Sequence, residues 1–347
     1  MYNFFFNLLI YLFSILRKLS RSFAKKEILF QDLITFLKYK KKNIYCDKNN
    51  FEDFEKYFVN LKNYKKLKLL KVKVCISFYY NKDKIKKLIK VCKNLFYIFK
   101  EIDLTIITNN KSFKIYKNQF PKIKNSKSKI TMYFFSNKLD PRIMPWAHFN
   151  IMKKAFVKNK YTHYLYIEDD ILITKRNINY WLSARVFLNK FNLIPGFIRS
   201  EFNYTNKKLY AVDNYKKQFF FIKPKIFSKK KNIAFINTSF PYHAMYFYDQ
   251  ELMREHLFGV SSNPDYGHGS HDINYLNPKL INLSLLEKAN IGLIYKNLSN
   301  EFLNRSVIAV KFREKQLYKY CLIKHLTNKY TNQTLVTKQI PINGIFF

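Results

Sequence analysis

Glycine is scarce in this chain, with six in 347 residues. No G-x-G-x-x-G and no G-x-x-x-x-G-K-S/T occurs, which excludes the glycine-dependent loops that bring backbone close to phosphate in dinucleotide-binding and P-loop proteins. Carboxylates are few as well: 23 Asp and Glu face 63 Lys and Arg, for a formal net charge of +40. Such a charge favours anionic partners, among them phosphorylated metabolites, nucleic acid and acidic membrane surfaces. Lysine also fills solvated faces, so charge alone selects none of these. The four cysteines, at 46, 75, 92 and 321, make no C-x-x-C pair and fall in or beside apolar segments, so free thiols are expected rather than a disulfide framework.

A long apolar run is missing too. Residues 1–16 are apolar except for Asn3, Asn7 and Ser14, and Arg17, Lys18, Arg21, Lys25 and Lys26 follow. That is short of the roughly 20 residues a spanning helix needs. The polar positions recur near helical spacing, so residues 1–26 read as an amphipathic helix lying on an anionic membrane surface. The expected location is cytoplasmic, peripheral to the membrane. A cleaved signal peptide is disfavoured, because no Lys or Arg precedes the apolar run and no small-residue cleavage site follows it.

What is present is a hydrophobic content of 48%, including 35 Phe and 27 Tyr, enough for a sizeable core. Residues 27–70 read as a Lys-rich helical cap, broken near Lys48-Asn49-Asn50. From Lys71 the pattern alternates. Residues 72–78 and 103–108 are strands; between them Ile85, Leu88, Ile89, Cys92, Leu95, Phe96 and Phe99 recur with the period of a helix. Strand, helix, strand implies a parallel pair. A third strand is expected over residues 130–135, then a helix begun at Pro145 that carries Trp146, Phe149, Met152 and Phe156. The expected class is α/β, with a doubly wound nucleotide-binding half over residues 71–175 continuous with a mixed α+β acceptor half over 176–330, and an extended tail over 331–347.

That helix leads to Tyr161-Thr162-His163-Tyr164-Leu165-Tyr166-Ile167, a β-favouring run ending in Glu168-Asp169-Asp170. In open α/β sheets, ligands bind outside the carboxyl ends of strands, and adjacent carboxylates repel unless a cation neutralises them. A divalent metal site is therefore expected there. Beyond it, a helix over residues 177–191 stopped by Pro195-Gly196, several short strands, a helix over 250–257 capped by Asp249, and a C-terminal helix reaching His325 are expected. A loop over residues 259–272 holds three of the six glycines.

An N-terminal βαβ half without a glycine fingerprint, followed by an apolar strand ending in acids, resembles the GT-A-fold nucleotide-sugar glycosyltransferases. Their Asp-x-Asp motif matches Glu168-Asp169-Asp170, with Glu in the first place as a departure. The resemblance implies Mn²⁺ or Mg²⁺ held by Glu168, Asp170 and a C-terminal His, for which His325 stands here. It implies a nucleoside-diphosphate sugar donor, UDP-linked by expectation, met by Phe78, Tyr79, Asn109 and Glu168. The acceptor would be a glycan or a lipid-linked molecule, and no nucleic acid is expected. For an inverting reaction the catalytic base would be Asp272, in Gly267-His268-Gly269-Ser270-His271-Asp272, with Asp249 and Glu201 as alternatives. Two other readings stand beside it: a metal-dependent phosphoryl-transfer or phosphodiester enzyme, and a basic nucleic-acid or membrane-surface binder.

Overall fold

A computed structural model describes residues 66–111, 118–120, 127–136, 140–215, 233–237, 241–262, 284–296, 304–311 and 316–331, with shorter pieces at 8, 11–12, 44–45, 226–227, 302, 313–314 and 339–342. From Lys71 the main elements in chain order are β1 (Lys71–Phe78), α1 (Ile85–Ile98), β2 (Glu101–Thr108), β3 (Lys129–Phe134), α2 (Ala147–Val157) and β4 (His163–Glu168). There follow β5 (Ile171–Leu172), α3 (Lys175–Leu188), β6 (Ile198–Asn203), β7 (Lys208–Tyr215), β8 (Ile233–Asn237), β9 (Met245–Asp249) and α4 (Gln250–Phe258). The last are α5 (Leu285–Ile291), β10 (Ser306–Lys311), β11 (Leu322–His325) and β12 (Gln339–Pro341). The protein is of the α/β class.

Strands β1 to β4 pair in parallel in the order β3-β2-β1-β4, and β9 adds antiparallel to β4 at the edge. The chain steps outward from β1 to β3 and then returns to the other side of β1. The gap between the carboxyl ends of β1 and β4 is thus the point where strand order reverses, the usual ligand crevice of an open α/β sheet. Central position explains the sequences: β1 and β2 are buried at every residue after the first, as expected for parallel strands covered on both faces. Edge strand β3 is nowhere fully buried and alternates exposed with half-buried residues. Helix α1 turns Ile85, Leu88, Ile89, Cys92 and Leu95 to the core, and burying each such aliphatic side chain contributes about 1.5–3 kcal/mol.

A second sheet runs β12-β7-β6-β11-β5, and it begins directly after the acids. A third holds Ile44–Tyr45, Ile226–Phe227, β8, β10 and Gln316–Leu317, with Ile194–Pro195 on β10. Strand β9, from the expected second half, completes the first sheet, and β5, from the expected first half, belongs to the second. The division at residue 175 therefore falls inside one interleaved body.

Three further expectations need correction. No helix reaches His325: β10 and β11 occupy that stretch, because Val307-Ile308-Ala309-Val310 and Leu322-Ile323 are aliphatic and largely β-branched residues that suit a half-buried pleat. Helix α3 is not stopped by Pro195-Gly196; it is followed by a 3₁₀ turn ending at Asn192, which is left-handed at φ 56°, a conformation Asn tolerates. In the Lys-rich segment Ile44–Tyr45 is extended, while residues 46–65, Lys48-Asn49-Asn50 among them, lie outside the described residues. Among the described residues no helix is long and apolar enough to cross a membrane, and Cys75, Cys92 and Cys321 are free and buried.

Candidate functional site

Register fixes where the acids lie. Glu168 ends β4 opposite Ser77 of β1, beside the reversal of strand order, and Asp169 and Asp170 form the turn into β5. Strand β5 pairs antiparallel with β11, with Ile171 opposite His325, and the amide of Leu326 donates to the Asp170 carbonyl at 2.8 Å. Asn177, in the Thr174 capping box that opens α3, also donates to the carbonyls of Tyr320 and Leu322 at 2.7 and 2.8 Å. The segment entering β11 is thereby anchored to the helix that follows the acids, and His325 is delivered to Asp170.

His325 is 1% exposed and lies between two carboxylates. Its Nε2 is 3.2 Å from Asp170 Oδ2 and its Nδ1 is 2.5 Å from Glu201 Oε1. Glu201 comes from β6, which runs parallel to β11 with Ser200 opposite Lys324; the next pair along is Glu201 and His325 on one face. Arg199 shares that face of β6 and lies over the Tyr242 ring, 4.8 Å from its centroid. Tyr242 Oη donates to Glu168 Oε1 at 2.8 Å, and Asn290 Nδ2 donates to the same oxygen at 2.9 Å. Asn290 lies near the end of α5, beside Gly292 at φ +58°, where a Cβ would come within 2.3 Å of the Tyr248 hydroxyl.

The electrostatics follow from burial and neighbours. Burial, reinforced by Asp170 alongside, pushes the Asp169 carboxyl up to about 7. Glu168 is raised as well, mainly by burial, with Arg199 pulling against it. Burial also pushes Asp170 upward, but the hydrogen bond and charge of His325, with Arg199 and Lys84, hold it below the usual carboxylate range. For His325, burial works downward and is outweighed by its hydrogen bonds to Asp170 and Glu201, so its pKa is raised. Four buried acceptor oxygens here have no partner among the described residues: Asp169 Oδ2, Asp170 Oδ1, Asn290 Oδ1 and Asn328 Oδ1. Buried acceptors left unmade are costly, and oxygens of this kind suit a hard cation or a ligand rich in hydroxyl donors.

The expected metal ligands are brought together only in part. Asp170 and His325 meet, whereas Glu168 is engaged by Tyr242 and Asn290, and among the described residues no group of three or more His, Cys, Asp and Glu is arranged to hold a metal. Of the expected nucleotide contacts, Phe78 is 0% exposed and belongs to the core, so it presents no surface to a nucleotide; Tyr79 is 53% exposed at the strand end. Asn109 spends its side-chain oxygen on the Tyr80 amide at 2.8 Å, tying the ends of β1 and β2 together.

Two of the three candidate bases are used otherwise. Asp249 pairs with His163 at the amino end of β4, the opposite edge of the sheet from Glu168. There it caps α4 by accepting from the Leu252 amide at 2.9 Å and accepts from Arg185 Nε at 2.8 Å. Glu201 is 0% exposed, and besides His325 it accepts from the Tyr330 and Thr331 amides at 3.0 Å each. Both carboxylates are thus committed to hydrogen bonds within the fold. Asp272 lies outside the described residues. Sequence reasoning missed Arg199, Tyr242 and Asn290; the only available signal was Arg199 and Glu201 two apart in a β-like run, which sets them on one face.

No protein-family model matches the chain, and no curated protein matches it. Among solved structures it is similar to S. aureus TarS, at 13% identity over 54% of this chain and 30% of that chain, TM-score 0.29. A second TarS structure, of residues 1–349, matches at 14% identity over 54% of this chain and 49% of that one, TM-score 0.28. A CMP:2-keto-3-deoxy-manno-octonic acid synthetase complexed with CTP matches at 11% identity over 53% of this chain and 76% of that one, TM-score 0.28. The chain thus spans less than half of the two TarS chains it matches, and similarities of this size do not establish a shared fold.

Proposed function

We propose that the protein is a GT-A-like glycosyltransferase that moves a sugar from a nucleoside-diphosphate donor, UDP-linked by preference, to a hydroxyl of a glycan or lipid-linked acceptor. The observation that carries this reading is the run Glu168-Asp169-Asp170 at the carboxyl end of β4, beside the reversal of strand order, with buried unpartnered oxygens on Asp169 and Asp170. A chain with six glycines needs another means of holding diphosphate, and this is the strongest one it offers.

Mn²⁺ or Mg²⁺ fits these residues. Asp170 Oδ1 has no partner among the described residues, His325 Nε2 lies 3.2 Å from the other oxygen of the same carboxylate, and Mg²⁺ in particular is usually held by one or two carboxylates plus substrate phosphates, without a dedicated protein cage. When bound, the cation supplies a Lewis acid for the diphosphate leaving group. Glu168, braced by Tyr242 and Asn290, is assigned to the nucleoside, as is Tyr79, exposed just past the end of β1. Asp272 is assigned as the base that removes the acceptor proton in an inverting reaction. Residues 1–26 are assigned to an anionic membrane surface at the cytoplasmic face; Leu8, Tyr11 and Leu12 within them are helical and exposed.

A second reading has its own support. Arg199 and Lys84 both pull the Asp170 carboxyl downward, so resident cations could serve the diphosphate without a metal. Thermal shift with UDP, GDP and CMP, with and without Mn²⁺, separates the two. Stabilisation by one nucleoside diphosphate that requires Mn²⁺ supports the metal-dependent transferase; stabilisation indifferent to Mn²⁺ supports the second reading. No response to any nucleotide, together with RNA binding, overturns both.

A further inference from the structure

Helices α2 and α4 bury Met152, Ala155 and Phe156 and Leu252, Met253 and Leu257 in the core, but where they meet they also present side chains that the fold leaves in water. The Phe156 and Phe258 rings lie edge to face, 5.9 Å between centroids. Phe156 is buried, whereas Phe258 is 60% exposed and Val157, the next residue after Phe156, is 72% exposed. Exposed apolar residues scattered singly need no explanation, yet these two are framed by cations. Lys153 Nζ stands 5.5 Å over the Phe258 ring and the Arg254 guanidinium 5.4 Å over the Phe156 ring. Lys154 and Lys158, one turn apart at the end of α2, are exposed. The acids of α4 are occupied elsewhere: Glu251 is held by Arg185 at 2.9 Å and Glu255 by Arg305 at 2.6 Å. Among the described residues none of the four cations has a carboxylate partner, so the corner is positive without local neutralisation. Lysines at a helix C-terminus complement its dipole, which accounts for Lys154 and Lys158 but not for the exposed Phe258 and Val157.

We propose that this corner is a membrane-docking face: Phe258 and Val157 enter the boundary between headgroups and acyl chains of an anionic leaflet, while Lys153, Lys154, Lys158 and Arg254 meet the lipid phosphates. Apolar side chains flanked by Lys and Arg suit that boundary, where buried apolar area and attraction to anionic lipid add together. The long stem of Lys153 can lie along the Phe258 ring while its ammonium stays with the phosphates. A nucleic acid backbone would use the cations but gives Val157 no place, so the apolar pair selects lipid. The contact belongs to the folded body, is separate from the assignment of residues 1–26, and does not rest on the transferase reading.

Trp146 and Trp181 are 5% and 1% exposed, so a tryptophan placed at the surface reports its own surroundings. The test is the fluorescence of the full chain carrying Phe258→Trp, mixed with vesicles of phosphatidylcholine alone or with phosphatidylglycerol added, plain or with brominated acyl chains. With anionic vesicles the emission should shift to the blue and be quenched by brominated lipid; with phosphatidylcholine alone it should do neither. Tyr204→Trp, at a position 64% exposed in the turn after β6, should respond to neither vesicle. Lys154→Ala added to Phe258→Trp should raise the lipid concentration at half-response about fivefold, the share of one cation near an anionic surface. A chain that sediments with anionic vesicles while its Phe258→Trp emission is unchanged docks elsewhere and overturns the proposal. An equal response to both vesicles, an equal response from Tyr204→Trp, or an unchanged half-response in Lys154→Ala overturns it too, as does a response to single-stranded RNA and to no vesicle. Should Phe258→Trp not fold, Val157→Trp, at the more exposed position, takes its place with the same expected results.

Discussion

The parallel sheet and the sheet that begins after Asp170 meet at one site and are held together differently. Strands β1, β2 and β4 bury Val74, Ile76, Leu104, Ile106, Leu165 and Ile167 at 0% exposure, and the one charged pair buried there, Lys73 with Asp103 at 2.7 Å, lies near the strand starts, away from the acids. Strands β6 and β11 instead bury Arg199, Ser200, Glu201, Asn203 and His325. One sheet is a scaffold of aliphatics; the other is a charge network whose members are stable only as a set. Their histidines differ accordingly. Burial holds His148 down to about 3 and His163 and His243 down to about 4, whereas the carboxylates flanking His325 raise it.

Acid should therefore have the largest effect. His148, His163 and His243 stay neutral in the folded state, while the unfolded chain takes up protons below about 6.5, so their combined contribution is lost as pH falls from about 6.5 toward 4. His325 acts in the opposite direction: its contribution is complete below about 6.5 and fades as pH rises through its raised value. Thermal denaturation across this range should give a Tm that falls steadily on acidification. A flat Tm would mean that these three rings are open to water.

Next comes Glu201→Ala, which removes the acceptor of four hydrogen bonds and leaves His325 with one carboxylate. Breaking a buried charged pair costs about 3–5 kcal/mol, measurable by urea unfolding. Tyr242→Phe should be milder on stability, since Glu168 keeps Asn290, but loss of a hydrogen bond to a charged group costs about 1.5–3 kcal/mol and should appear in nucleotide affinity. Asp249→Ala removes the α4 cap at the far edge of the sheet, worth about 1 kcal/mol, and one of the two carboxylates that Arg185 binds, and should leave nucleotide affinity unchanged. A clear loss of affinity there would return Asp249 to the site. The smallest effect belongs to Ile76→Val, about 0.5–1.5 kcal/mol, again without change in affinity.

The scaffold was legible because its signals are local. The buried run of β1, the helical stripe of α1 and the acids after β4 can each be read from a few consecutive residues, and Asp249 as a helix cap needs only its neighbours. The charge network was not, since Asp170, Glu201 and His325 lie 31 and 124 residues apart along the chain and their strands are too short to announce a partner. The aliphatics before His325 fit a helix as well as a strand until the register of β11 against β5 is known. Glu201 looked like a candidate base because sequence gives a carboxylate's type and not its donors, and Phe78 looked like a nucleotide contact because strand end and core are indistinguishable in a run of apolar residues.

The central claim is that the Asp170 end of β4 holds a cation and a nucleoside diphosphate together. Titration calorimetry of UDP into the wild-type chain and into Asp170→Asn, each with and without Mn²⁺, tests it most directly. The account predicts binding to the wild type only with Mn²⁺, and no Mn²⁺-dependent binding to an Asp170→Asn chain whose circular dichroism is unchanged. Equal UDP affinity with and without Mn²⁺, or full Mn²⁺-dependent binding in Asp170→Asn, would contradict it.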